Sequence, residues 1–159
     1  MTFAVWRMQR TKQDIDACLN RLTDAQIAHR GAAHENSIAN LLLHLEGNMR
    51  QWFLHGIGGQ PDVRERDEEF AEITEAQVTE TRERFAATLG ECCVVVGSVP
   101  AERMLEKINP QPTGIHGAMT ILEAVFQIVA HLQMHAGQII VLTKQLTGGD
   151  LDLSLPRKR

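Results

Sequence analysis

The chain has 159 residues, 43% hydrophobic and 23% charged, a balance that excludes a disordered polyelectrolyte and suits one globular domain over residues 1–159. Its net charge of −4, with Arg157, Lys158 and Arg159 as the one basic cluster, argues against nucleic acid as a partner. The three cysteines, Cys18 and the adjacent Cys92 and Cys93, make a poor disulfide framework and point to a reducing, cytoplasmic setting.

The opening residues interleave Arg7, Arg10 and Lys12 with polar side chains and carry no secretory h-region. A first helix is predicted over Thr2 to Leu22, with Ile15, Leu19 and Leu22 at helical spacing. Leu22-Thr23-Asp24-Ala25 reads as a break and restart, followed by polar turn material to Glu35. A second helix begins at an Asn36 or Ser37 cap and runs to His55, where Gly56, Gly58, Gly59 and Pro61 stop it. The charged segment Pro61 to Ile73 reads as a surface loop. A third helix opens on the capping box Thr74-Glu75-Ala76-Gln77 and continues to Val96, ahead of Gly97 and Pro100. Between Pro100 and Gly117 the chain is irregular, with Pro110, Pro112 and Gly114, and only Met104 to Ile108 alternates as a short strand would.

A fourth helix is predicted from Ala118 to Leu146, ending at Gly148-Gly149. Within it, Ala124 to Thr143 lacks Asp, Glu, Lys and Arg and has the length of a membrane span. Gln127, His131, Gln133, His135 and Gln138 are costly in lipid, so the stretch reads as a core helix and no membrane partner is expected. Four long helices with intervening loops predict an all-α four-helix bundle, whose core faces are common places for metals.

His131 and His135 lie four residues apart and share one face of the fourth helix. Gln127 lies one turn before this pair and Gln138 one turn after, beside the apolar stripe Ile121, Val125, Ile128, Leu132 and Ile139. The second helix repeats the pattern: His44 stands among Asn40, Asn48 and Gln51, beside Leu41, Leu45, Met49 and Trp52. If the two helices are neighbours, His44 completes a three-histidine metal site. Burying three histidines with amide partners is otherwise hard to explain, because unpaired buried polar groups are costly. Other metal motifs fail on spacing: there is no Glu-x-x-His pair, no His-Glu-x-x-His and no Cys-x-x-Cys-His.

The remaining residues read more plainly. His55 lies three turns from His44, about 16 Å along the axis, too far to share an ion, and is placed at a pocket mouth or on the surface. His29, His34 and His116 fall in turn-like sequence and are expected to be exposed. Cys92 and Cys93 begin an apolar run to Val96 and read as buried structural thiols. Arg64 to Glu69 is a mixed charge run typical of a solvated loop, from which Arg66 or Phe70 can close over the metal pocket. Leu122, Phe126, Val129 and Ile140 give the fourth helix a second apolar face, to be covered by the first and third helices or by a second copy.

The stretch Asn36-Ser37-Ile38-Ala39-Asn40-Leu41-Leu42-Leu43-His44-Leu45-Glu46-Gly47-Asn48 resembles the second helix of the DinB/YfiT-like superfamily, and His131-Leu132-Gln133-Met134-His135-Ala136-Gly137-Gln138-Ile139-Ile140 resembles its last long helix. An uncharacterised branch of that superfamily also shows a loop like Arg66-Asp67-Glu68-Glu69-Phe70. The resemblance implies an up-down-down-up four-helix bundle, usually a homodimer, with a divalent metal at the positions of His44, His131 and His135. It also brings a link to transferases and isomerases that use low-molecular-weight thiols.

An ion held by three neutral histidines keeps its charge and an open position, the arrangement of catalytic rather than structural zinc sites. Imidazole ligands make zinc or nickel the expected metal. The expected function is transfer of a small-molecule thiol to an electrophilic small-molecule substrate, with Asn48, Gln127 and Gln138 orienting ligands or substrate. Metal-dependent hydrolysis is the alternative, as is a non-catalytic dimeric bundle that binds a metal or apolar ligand. No catalytic acid or base is evident in the sequence.

Overall fold

The computed structural model describes residues 2–32, 34–109, 111–112 and 117–153. It is all-helical, with five α-helices and no strand among the described residues. They are α1 (Thr2–Leu19), α2 (Asp24–Ala28), α3 (Ile38–Met49), α4 (Val78–Ser98) and α5 (Ile121–Thr147). Four of them start where the sequence supplies a cap. Thr23, Ser37, Thr74 and Thr120 each form a capping box, in which the hydroxyl accepts the backbone N–H three residues on and the cap's own N–H donates to the side-chain oxygen there, the last two residues opening α4's leading turn and α5. At the far end of α5, Gly148 takes φ 68°, a left-handed conformation that closes the helix and that a side chain would strain.

The first predicted helix is divided. Asn20 to Leu22 leave the helical path after α1, and the Thr23 capping box starts the short α2 at the expected restart. The second continues past Met49, but Arg50–Ile57 changes to π-helical hydrogen bonding before Gly58. Gly58 N–H donates to Phe53 O at 2.8 Å, the five-residue reach that defines this wider turn. The third is as expected apart from a 3-10 turn at Glu75–Gln77. The alternating segment after Pro100 forms a single antiparallel bridge, Lys107 to Thr120, flanked by Ile108 N–H to Met119 O and Ile121 N–H to Glu106 O, each 3.0 Å. It anchors the start of α5. Pro110, Gly114 and His116 fall outside the described residues, as does the basic cluster at 157–159.

Each long helix packs on two others: α1 lies against α4 and α5, and α3 lies against the same pair. Their buried residues recur at helical spacing, Met8, Thr11, Ile15, Cys18 and Leu19 in α1 and Ile121, Ala124, Val125, Ile128, Leu132, Ala136, Ile139 and Thr143 in α5. By length and composition α5 could cross a membrane. Here its buried stripe packs against α1 and α3, while Leu122, Phe126, Met134 and Val141 stay exposed. Val129 and Ile140 are partly covered by the core. All three cysteines are buried, and burial pushes each thiol pKa up, aided at Cys92 by the neighbouring Cys93.

Candidate metal centre

The centre lies where α3 meets α5. His44 follows the buried turn Ile38 to Leu42, which fixes the face of α3 that looks at α5. On α5, Ile128, Leu132 and Ala136 are buried, and His131 and His135 stand beside them. The three imidazoles converge: His131 Nε2 is 3.1 Å from His44 Nε2 and 3.1 Å from His135 Nε2. One ligand atom from each ring lies within 4.8 Å of the other two.

The outer nitrogens determine what faces inward. His44 Nδ1 donates to Glu69 Oε2 at 2.8 Å, and His135 Nδ1 donates to Gln138 Oε1 at 2.7 Å. Burial opposes ionisation of Glu69, but hydrogen bonds from Arg64 and His44 outweigh it and hold the carboxyl below its usual range. With Nδ1 of His44 and of His135 engaged outward, the Nε2 atoms of both rings turn toward the same point, where they can act as ligands. Protonation of His131 gives little relief, because burial, then His135, His44 and Arg64, push its pKa down to about 4. Burial likewise lowers His135, against the Gln138 hydrogen bond.

A divalent cation would convert that crowding into three bonds. Roughly 2.0–2.1 Å bonds at the tetrahedral angle put ligand nitrogens about 3.3 Å apart, close to the spacing found here. The donor set therefore fits a divalent metal.

Asn48 and Gln127 line a cavity of about 260 Å³ beside His44 and His131, without bonding to either ring. Gln138 alone of the three expected amides holds a histidine. Asn48 Oδ1 and His131 Nδ1 are both buried without a partner. His55 bonds to Gln60 O, and His29 and His34 are exposed.

The charge run from Arg64 to Glu69 departs from a wholly solvated loop. Its last turn, Arg66–Phe70, is a 3-10 helix packed on α3. Glu69 is buried, and Arg64, its side chain 6% exposed, grips the carboxylate at two points, Nε to Oε1 at 2.6 Å and Nη2 to Oε2 at 2.9 Å. Gln51 accepts from Arg64 Nη1 at 2.9 Å. Asn40 turns away from the histidines: its Oδ1 serves the Ser37 cap and Arg30, and its Nδ2 donates to Glu69 O and Ala71 O. Gly47 leaves room for the loop, since a Cβ there would run into the Glu69 carboxylate and come within 3.2 Å of Arg64 Nε. Of the two residues expected to close over the pocket, Phe70 packs on His44, its ring centre 5.3 Å away, and Arg66 lines the cavity.

Sequence reasoning missed Glu69 and Arg64 as parts of the centre. The available signal was Phe70, an apolar side chain ending a charged run and marking where the loop turns inward.

A family model described as "Protein of unknown function (DUF1572)" matches residues 1–159. The chain belongs to the DUF1572 family. That family is DinB/YfiT-like, in keeping with the resemblance carried by the helices that became α3 and α5. No curated protein matches the chain. In this DUF1572 chain, then, the three-histidine cluster and its Glu69 support rest on geometry.

Proposed function

We propose that this DUF1572 protein is a divalent-metal enzyme, with zinc or nickel on His44, His131 and His135, acting in transfer of a low-molecular-weight thiol to an electrophilic small molecule. The observation that carries the reading is the pair of inward Nε2 atoms, fixed by Glu69 behind His44 and Gln138 behind His135. An up-down-down-up four-helix bundle, forming a single domain, is the proposed architecture. The pairing of α1 with α5 and of α3 with α4, and the extended connection between α3 and α4, support it.

When bound, the ion supplies Lewis acidity to a thiol or water at its open position. The chain's own residues do the rest. Glu69 and Arg64 hold the His44 ring, and Gln138 holds His135. Trp52 and Ile128 wall the adjoining cavity, with Asn48 and Gln127 available to orient a substrate. No carboxylate lines that cavity among the described residues, and the cysteines are buried with raised pKa values. The nucleophile therefore comes from a small molecule. Hydrolysis would use the same centre with water in place of the thiol. Three free cysteines support a cytoplasmic setting. The exposed α5 side chains Leu122, Phe126, Met134 and Val141 support a homodimer.

Metal analysis of protein purified without a histidine tag tests the centre: about one ion per chain is expected from a three-ligand site, with loss in His135→Ala. Unchanged metal content in that variant defeats the site. Adding small thiols to the cobalt-substituted protein tests the chemistry. A sulfur-to-cobalt charge-transfer band is expected, absent in His131→Ala and kept in Cys92→Ser and Cys93→Ser. If no biological thiol gives the band at millimolar concentration, hydrolysis takes precedence.

A further inference from the structure

The cavity beside the histidines is one-sided in charge. Its charged walls are the guanidinium groups of Arg64 and Arg66, with no carboxylate among the described lining residues. Glu69 balances the charge of Arg64 from behind the wall, which leaves Arg66 as the uncompensated charge on the lining. The two arginines differ in what they have left to offer. Arg64 commits its donors to Glu69 and Gln51. Arg66 lies with its guanidinium carbon 5.3 Å from the Phe70 ring centre, and Phe70 packs on His44. Arg66 is an exposed residue on the cavity's lining and has no hydrogen-bond acceptor among the described residues, so its stacked guanidinium keeps its donors free for a ligand there.

Two further groups restrict what can occupy the space. Asn48 Oδ1 is buried and unpartnered on the same cavity wall, and an unpaired buried acceptor calls for a donor. A volume of about 260 Å³ suits a compact molecule, and Trp52 and Ile128 give the lining an apolar part.

We propose that this cavity selects a small carboxylate whose anionic end is forked on Arg66, whose hydrogen-bond donor meets Asn48 Oδ1, and whose reacting end points at the histidine centre. The proposal rests on the metal reading of His44, His131 and His135 and adds the charge and size of the molecule that reaches it. A guanidinium holds a carboxylate through two parallel charge-assisted bonds, whereas a neutral amide of the same shape offers one acceptor and places an NH2 against the fork. The preference is worth about tenfold in affinity.

Calorimetry on the zinc-loaded protein tests this with two matched pairs of probes: 3-mercaptopropionate against 3-mercaptopropionamide, and 3-hydroxypropionate against 3-hydroxypropionamide. The acid of each pair is expected to bind about tenfold more tightly than its amide. Arg66→Gln should bring acid and amide to equal affinity, with zinc content unchanged. Arg66→Lys, which keeps the charge and loses the fork, should retain only part of it. Equal binding of acid and amide, a preference that survives Arg66→Gln, or no binding by any probe at millimolar concentration overturns the proposal. Failure of the metal reading is visible separately, as a wild-type protein that takes up no zinc. The same titrations on that protein then decide the charge preference by themselves, because Arg66 and Asn48 are not among the three histidines.

Discussion

Two buried glutamates, Glu46 on α3 and Glu69 on the following loop, face the same cleft and have different tasks. Each accepts an arginine Nη2 at 2.9 Å. Glu46 receives Arg84, whose side chain is 54% exposed, and Thr88, so it ties α3 to α4 through a partner that stays largely in water. Glu69 receives Arg64, buried as deeply as itself, and passes its second contact to His44. The contrast shows that a buried carboxylate is defined by its partners' surroundings. One with a solvated partner fastens helices, while one enclosed with a guanidinium and an imidazole fixes the orientation of a ring.

The sharpest way to break this distinction is Glu69→Ala. It strands Arg64 without a counter-charge and frees the His44 ring, at an expected cost of about 3–5 kcal/mol in urea unfolding. Metal affinity should also fall tenfold to a hundredfold, roughly the effect of losing a carboxylate behind a ligating histidine, measured by chelator competition. Next comes Gly47→Ala, which leaves every polar group in place but drives a methyl into the Glu69 carboxylate. A loss of about 1–3 kcal/mol is expected, with weakened metal binding. If Gly47→Ala matched wild type in both, the close fit of loop to helix would not matter.

Glu46→Ala should cost less, about 1–2 kcal/mol, because Arg84 and the half-exposed Arg50 can both turn to water and the Thr88 bond and local packing are lost. Metal content is expected to be unchanged, and a drop would mean that the two carboxylates act as one network. The smallest effect is that of salt. Raising sodium chloride to about 1 M, where screening reaches to about 3 Å, should shrink the penalty of Glu46→Ala and leave that of Glu69→Ala nearly as it was.

The three histidines were legible because each stands in a periodic apolar helix. A spacing of four residues fixes His131 against His135, and the stripe beside His44 places it on an inward face. Two helix starts were legible too, since Ser37 and Thr74 write their caps within three residues, whereas the fourth helix was expected from Ala118 and begins at Ile121 behind the Thr120 cap. What stayed hidden depends on partners far along the chain. Glu69 meets His44 across 25 residues and is pinned by Asn40 across 29, inside a charge run with no period to read. Asn40 itself sits on the polar line through His44, and only the packing of the loop reveals that it faces elsewhere. The π-helical turn at Arg50–Ile57 has no residue pattern that sets it apart from a continuing α-helix, yet it carries Gln51 to Arg64 and Trp52 to the cavity wall.

The manner in which the loop is fastened bears on how such a protein can change over generations. Asn40 donates to the main-chain oxygens of residues 69 and 71, and Arg30 to those of residues 70 and 71. Bonds to the main chain do not read the identity of the side chains they secure. The side chains of Arg66 and Phe70 can thus be exchanged while the segment keeps its seat against α3, provided Glu69 remains. That arrangement separates inheritance of the centre from inheritance of selectivity: a lineage can sample new occupants at positions 66 and 70 without first rebuilding the place where they bind.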